Sequence, residues 1–167
     1  MDQERLKQEI SGIMDNLRRF AFSLTGEKQD AYDLLQETIV RLLEKNVPDD
    51  ADTRKWAFRV CKNIWLDQLR ANKVRRQWAE SKIGEMDNRQ DGQKIADDHI
   101  ALEEVKSIMA ELPDEQRTIL SLVAVEGFSY KEAAEMENIP VGTVMSRLSR
   151  ARAAIADSLN QGRETVH

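Results

Sequence analysis

The sequence is poor in cysteine, proline, glycine and histidine: one Cys, three Pro, seven Gly and two His in 167 residues. A single thiol, Cys61, excludes an internal disulfide framework and any multi-cysteine zinc site. So few Gly and Pro argue against a turn-rich all-β fold. His99 and His167 leave little for metal ligation or acid–base chemistry. No phosphate-cradling loop, nucleophile–base pair or metal cluster is present, so no catalytic residue, metal or cofactor is expected. No apolar run reaches the ~20 residues that span a bilayer, and the acidic amino-terminal segment is unlike a signal peptide. What is there is a hydrophobic content of 41%, enough for a real core. The expectation is a reduced, cytoplasmic, all-α protein without membrane insertion.

Charge is unevenly spread. The chain carries a net charge of −5, but residues 51–80 hold eight basic and three acidic groups, and residues 140–167 hold four and two. The intervening residues 81–139 hold six basic and fourteen acidic groups. Two basic islands, each confined to one helical segment, therefore sit in an acidic chain.

Hydrophobic periodicity places the helices. Leu6, Ile10, Ile13, Leu17, Phe20 and Leu24 recur at three- and four-residue steps, and Gly26 follows as a carboxy-terminal cap. A second helix is expected from about Asp30 to Lys45, with Ala31, Leu35, Ile39 and Leu42 inward. Asn46 to Asp50 breaks the pattern. A third helix is expected from Asp52 or Thr53 to about Gln77. Residues 79–97 lose periodicity and read as a flexible acidic linker. Periodicity resumes at Ile100, Leu102, Val105, Ile108, Met109 and Leu112; Pro113 then opens another helix in its first turn, ended by Gly127. The expected fold is two small helical domains, residues 1–78 and 98–160, with a tail at 161–167.

The carboxy-terminal domain carries the sharpest motif. Ser129-Tyr130-Lys131-Glu132 fits a capping box, Asn138 suits a left-handed turn, and Pro140 leads into a second helix. Val144, Leu148, Ala151 and Ile155 form its buried stripe. Gly142, Met145, Ser146, Ser149 and Arg150 lie opposite, flanked by Thr143, Arg147 and Arg152. Such a helix-turn-helix can lay its second helix in the major groove, with arginines and hydroxyls toward phosphates and base edges. On the third helix, Lys55, Arg59, Lys62, Asn63, Asp67, Arg70 and Lys73 share one face, joined by Arg75 and Arg76. That face would gather a polyanion. Asp67 either accepts from a base amine or braces Lys62, Asn63 or Arg70. Trp56 is the best stacking candidate; Phe58, Trp65 and Cys61 read as core.

Together these features resemble the extracytoplasmic-function class of bacterial sigma factors over about residues 5–160. The motifs are Asp33-Leu34-Leu35-Gln36-Glu37-Thr38, the Arg59–Arg76 helix with Asn63, Asp67 and Arg70, and Leu112–Arg117, Glu126–Ala134 and Gly142–Arg152. The resemblance implies that Asp33, Gln36, Glu37, Val40 and Arg41 bind core RNA polymerase, at the clamp helices of its β′ subunit. The β flap would be a further polymerase contact. It implies that Trp56, Arg59, Lys62, Asn63, Asp67, Arg70, Lys73, Arg75 and Arg76 engage the minus-ten promoter element. The Asn46–Thr53 loop would hold a flipped base. Pro140, Gly142, Thr143, Met145, Ser146, Arg147, Ser149, Arg150 and Arg152 would read the minus-thirty-five element. An anti-sigma factor is an implied partner. Met145 stands where the family often has Lys or Arg, Asn138 where Gly is common, and Arg54–Phe58 departs from the usual Trp-Leu pattern. Two other readings stand beside this one: a sigma-like adaptor that sequesters an anti-sigma factor, and a conventional helix-turn-helix regulator.

Overall fold

The computed structural model describes residues 1–83 and 100–164, and all regular structure among them is helical. Three helices make the amino-terminal bundle: α1 (Gln3–Thr25), α2 (Lys28–Lys45) and α3 (Thr53–Ile83). Helix α1 buries Leu6, Ile10, Leu17, Phe20, Ala21 and Leu24; Ile13 is half-buried. Gly26 ends it at φ +76°, its N–H donating to the Phe22 carbonyl at 2.8 Å. A Cβ there would also lie 3.3 Å from the Arg117 guanidinium, so the position is restricted twice. Helix α2 buries Leu34 and Thr38 beside the expected Ala31, Leu35 and Leu42, while Ile39, also expected inward, is half-buried. The Thr38 hydroxyl is satisfied within the helix, donating to the Leu34 carbonyl at 2.7 Å. Asp52 caps α3, its carboxylate accepting from the Lys55 amide at 3.2 Å. Ala57, Phe58, Cys61, Ile64 and Trp65 then face the core. Burial pushes the Cys61 thiol up to about 12, so it is a small inert hydrophobe.

Helix α3 runs 31 residues, six beyond the expected end. Residues 79–83 are therefore helix rather than linker, and from Arg70 to Glu80 every side chain is exposed. A run of good helix formers without Gly or Pro lets the helix continue past its last core contact. The rest of the expected linker lies outside the described residues.

The carboxy-terminal bundle comprises α4 (Ile100–Glu111), α5 (Asp114–Leu120), α6 (Tyr130–Glu137) and α7 (Val141–Glu164). Pro113 is the cap residue of α5 rather than part of its first turn. Between α5 and α6 the chain widens into a π-helical turn, Ser121–Val125, in which the Glu126 amide donates to the Ser121 carbonyl at 3.1 Å. Gly127 follows at φ +77°. The capping box before α6 is formed in both directions, at 3.0 Å each, and Asn138 is left-handed at φ +55°. Val144, Leu148 and Ala151 of α7 are buried against this layer; Ile155 is half-buried.

The two bundles share one apolar seam. Phe58 makes edge-on ring contacts with Phe20 of its own bundle (4.8 Å) and with Phe128 of the other (5.4 Å). The Arg54 guanidinium lies 4.2 Å from the Phe128 ring centroid and donates to the Glu126 carbonyl at 3.0 Å. In return, Arg117 of α5 donates to the Ser23 carbonyl of α1 at 2.9 Å.

Leu148 is 1% exposed at the centre of the α7 stripe. Leu148→Ala should cost about 2–5 kcal/mol of unfolding free energy, read as a lower urea midpoint. A change within error would mean that α7 is not anchored by this stripe.

Candidate nucleic-acid interface

The outer face of α2 carries the first group of expected site residues. Asp33, Gln36 and Glu37 are exposed, and Val40 is 52% exposed. Tyr32, one residue before Asp33, is equally open and was not expected as part of this face. Its signal was an aromatic beside two acids on a helix already assigned a buried stripe. Neighbours hold the polar groups in place: Gln29 donates to Asp33 at 2.9 Å, and Gln68 of α3 donates to Glu37 at 2.9 Å. Arg41 pairs with Glu37 at 3.8 Å but is itself half-buried and turns toward α3.

That turn places Arg41 on the wall of a cleft of about 240 Å³, with Leu42, Lys45, Asn46, Trp56, Val60 and Asn63. The cleft combines a half-buried indole, an amide that can both donate and accept, and two long cations at its edge. A planar, polar, anionic-backbone ligand such as an unpaired nucleotide suits that chemistry. Trp56 is thus separated from Phe58 and Trp65, which are fully enclosed.

The basic face of α3 is divided. Arg59, Lys73, Arg75 and Arg76 are exposed. Asp67 braces Arg70 at 3.5 Å, both in solvent. Val74 and Trp78 are also open on this stretch, and Trp78 is 63% exposed among the cations. By contrast, Lys62 is covered: its ammonium lies 3.2 Å from Glu137 of α6, and the two side chains are only 11% and 12% exposed. Lys55 likewise pairs with Glu132 of α6 at 3.4 Å. An open basic face is the simple expectation from the wheel of α3 alone. The difference arises because α6 approaches from a segment some seventy residues away in sequence.

On α7, Gly142, Ser146, Ser149, Arg150 and Arg152 are exposed as expected, and Pro140 precedes them at the surface. Met145 is 53% exposed, in the middle of that face. The Ser146 hydroxyl donates back to the Gly142 carbonyl at 3.3 Å and keeps its lone pairs available. Thr143 is half-buried, and Arg147 leans back to Glu115 at 3.7 Å. Nothing lies within 4 Å of where a Cβ would stand at Gly142, so that position is open on the outer face.

Two family profiles cover most of this architecture: Sigma-70 region 2 over residues 13–75 and Sigma-70 region 4 over residues 102–155. The ECF RNA polymerase sigma factor EcfG of Rhodopseudomonas palustris is 32% identical over 155 residues, 92% of this chain and 84% of its own length. The chain belongs to the ECF sigma factor family. SigM of Bacillus subtilis, another ECF sigma factor, is 32% identical over 151 residues, covering 89% of this chain and 91% of that one. Among solved structures, the sigma factor RpoE in complex with the anti-sigma factor NepR from Bartonella quintana superposes with a TM-score of 0.75. It is 28% identical and covers 94% of this chain and 98% of its own. The region 2 match thus runs from within α1 to within α3, and the region 4 match from within α4 to within α7. Among the described residues no group of side chains could hold a metal ion, and no helix is long and apolar enough to cross a membrane.

The capping box gives region 4 a pH dependence. The Ser129 amide, its strongest partner, holds the Glu132 carboxyl below its ordinary value; burial opposes this, and the Ser129 hydroxyl and Lys55 add to it. A carboxyl lowered in the fold stabilises above its unfolded value of ~4.3, and the gain is lost as pH falls through the folded value. Glu132→Gln should therefore narrow its stability deficit against wild type as pH drops from about 6 to about 3. Thermal melts across that range check it; a deficit constant with pH would contradict the assignment.

Proposed function

We propose that this ECF sigma factor is a promoter-specificity subunit that docks on core RNA polymerase through the outer face of α2. Asp33, Gln36, Glu37 and Val40 form the docking face, with the clamp helices of the β′ subunit as partner and the β flap as a second polymerase contact. Helix α3 and the cleft beside it engage the minus-ten element. Trp56 and Asn63 receive an extruded base, and Arg41 and Lys45 flank its backbone. Arg41 thereby moves from the polymerase face toward the promoter strand. Extrusion costs a few kcal/mol, which stacking at ~1–3 kcal/mol per base and backbone charge offset. Helix α7 reads the minus-thirty-five element through Gly142, Thr143, Met145, Ser146, Arg147, Ser149, Arg150 and Arg152. The observation that carries this reading is the coexistence on one chain of two separate DNA-suited helix faces and a third, acidic face on α2.

The factor performs no catalysis of its own; polymerase supplies the chemistry. Its place of work is the cytoplasm. Control by an anti-sigma factor is supported by the relative from Bartonella quintana, which is seen bound to one. The working domain limits are residues 1–78 for region 2 and 98–160 for region 4, with α3 continuing to Ile83 into the join and α7 to Glu164 into the expected tail. An adaptor that only sequesters an anti-sigma factor has no use for the open arginines of α7.

Run-off transcription with core polymerase on a randomised promoter library tests initiation and reads both elements. Arg150→Ala and Ser146→Ala should lower run-off about tenfold each while pull-down of core polymerase stays unchanged, one hydrogen-bonded DNA contact being worth ~1–3 kcal/mol. Asp33→Ala and Glu37→Ala should instead weaken the pull-down. The same defect in both sets would contradict the division of labour.

A further inference from the structure

Helix α6 lies on the part of α3 assigned to promoter DNA. Its sequence, Tyr130-Lys131-Glu132-Ala133-Ala134-Glu135-Met136-Glu137, is acidic, and two of its carboxylates meet α3 cations. Glu137 covers Lys62 at 3.2 Å and Glu132 meets Lys55 at 3.4 Å. One turn upstream of α6, the Glu126 carboxylate is fully enclosed and gripped by Arg19 of α1 through two bonds, at 3.0 and 3.1 Å. The Glu126 carbonyl takes the bond from Arg54. Region 2 thus contributes four cations (Arg19, Arg54, Lys55 and Lys62), and the segment from Glu126 to Glu137 contributes the groups that accept them.

We propose that the isolated factor is latched by its own region 4: the carboxylates of α6 stand in for promoter phosphates on α3. Promoter engagement then requires the two regions to part. This rests on the assignment of α3 to promoter DNA made above. Three features fit a latch rather than a permanent joint. Around the Phe58–Phe128 contact, the Arg54 stacking and Lys106 over the Phe22 ring at 5.0 Å, the joint is held by charge pairs and hydrogen bonds, and its partly exposed pairs weaken as salt rises. The α2 face carrying Asp33, Gln36, Glu37 and Val40 is open in the latched chain, so polymerase can dock before any rearrangement. Arg59, Lys73, Arg75 and Arg76 also stay open, which leaves a strip for loose contact with a polyanion while the covered part of the face waits. The order that follows is polymerase first, opening second, promoter last.

Zero-length carbodiimide coupling tests this on the full chain, since it joins an ammonium and a carboxylate already in contact as an amide, with loss of one water. At low salt the free protein should yield Lys62–Glu137 and Lys55–Glu132 links by mass spectrometry. Both should disappear when core polymerase and a promoter fragment are added. The pair Lys106–Glu103, 3.4 Å apart within α4, serves as reaction control. The double variant Glu132→Gln/Glu137→Gln keeps a side chain able to close the capping box but removes both charges. Fluorescence anisotropy with a single-stranded minus-ten oligonucleotide should show the free variant binding about tenfold tighter than wild type, with unchanged affinity for core polymerase. Absence of both interdomain links while the control link forms overturns the latch. Links present with unchanged oligonucleotide affinity overturn its masking role. Failure of the promoter reading itself is separate: it would appear as no run-off from wild-type holoenzyme, with the links intact.

Discussion

The Glu126 carboxylate holds the molecule in its present shape. It has no solvent exposure, and a buried unpaired carboxylate costs several kcal/mol, so Arg19 must stay beside it while the regions are together. Arg19 is half in water, and its guanidinium is held further toward the charged state by that bond and by the Glu126 charge. The π turn at Ser121–Val125 and the left-handed Gly127 aim Glu126 and Phe128 into the seam together. One places a charge there and the other a ring; each is satisfied by region 2, by Arg19 and by Phe58 with Arg54. When the regions part, Glu126 regains water as Phe128 loses its cover, so the two costs oppose one another. Interfaces of this mixed polarity between domains commonly open and close.

Much of the fold was legible from spacing. Leu6 to Leu24 and Val144 to Ala151 follow helical steps, and tertiary packing respects them because one face of each helix must be removed from water. Ser129, Glu132 and Asn138 announce their local structure because capping and left-handed turns depend on the identity of one or two residues. The π turn was not legible: one extra residue in a helical turn leaves a periodic pattern almost unchanged over so short a stretch. Nor was the length of α3, since the sequence from Trp78 to Ile83 shows no apolar periodicity to mark it as helix.

The site was legible as residue types on faces and illegible as contacts between faces. Asn63, Arg59 and Arg150 are open where the helical wheel puts them. Lys62 is on the expected face but under Glu137, and no local rule connects two positions so far apart in sequence. Arg41 shows the same limit within one region, since only the packing of α2 on α3 turns it into the cleft with Trp56. Charge blocks gave the coarse picture, a basic island and an acidic stretch. The fold brings the basic island at 51–80 onto the acidic stretch through Lys55–Glu132 and Lys62–Glu137, and makes that charge asymmetry an intramolecular attraction.

The exposed end of α3 has a geometric consequence. From Arg70 to Ile83 the chain is a continuous helix, so it advances about 1.5 Å and turns about 100° per residue. It therefore fixes not only how far from region 2 the join to region 4 begins, but also the compass bearing from which it leaves. A single inserted residue here would swing that bearing by more than a quarter turn, whereas a full turn's worth of residues would nearly restore it. Sequence length in this arm behaves as a phase that repeats about every 3.6 residues.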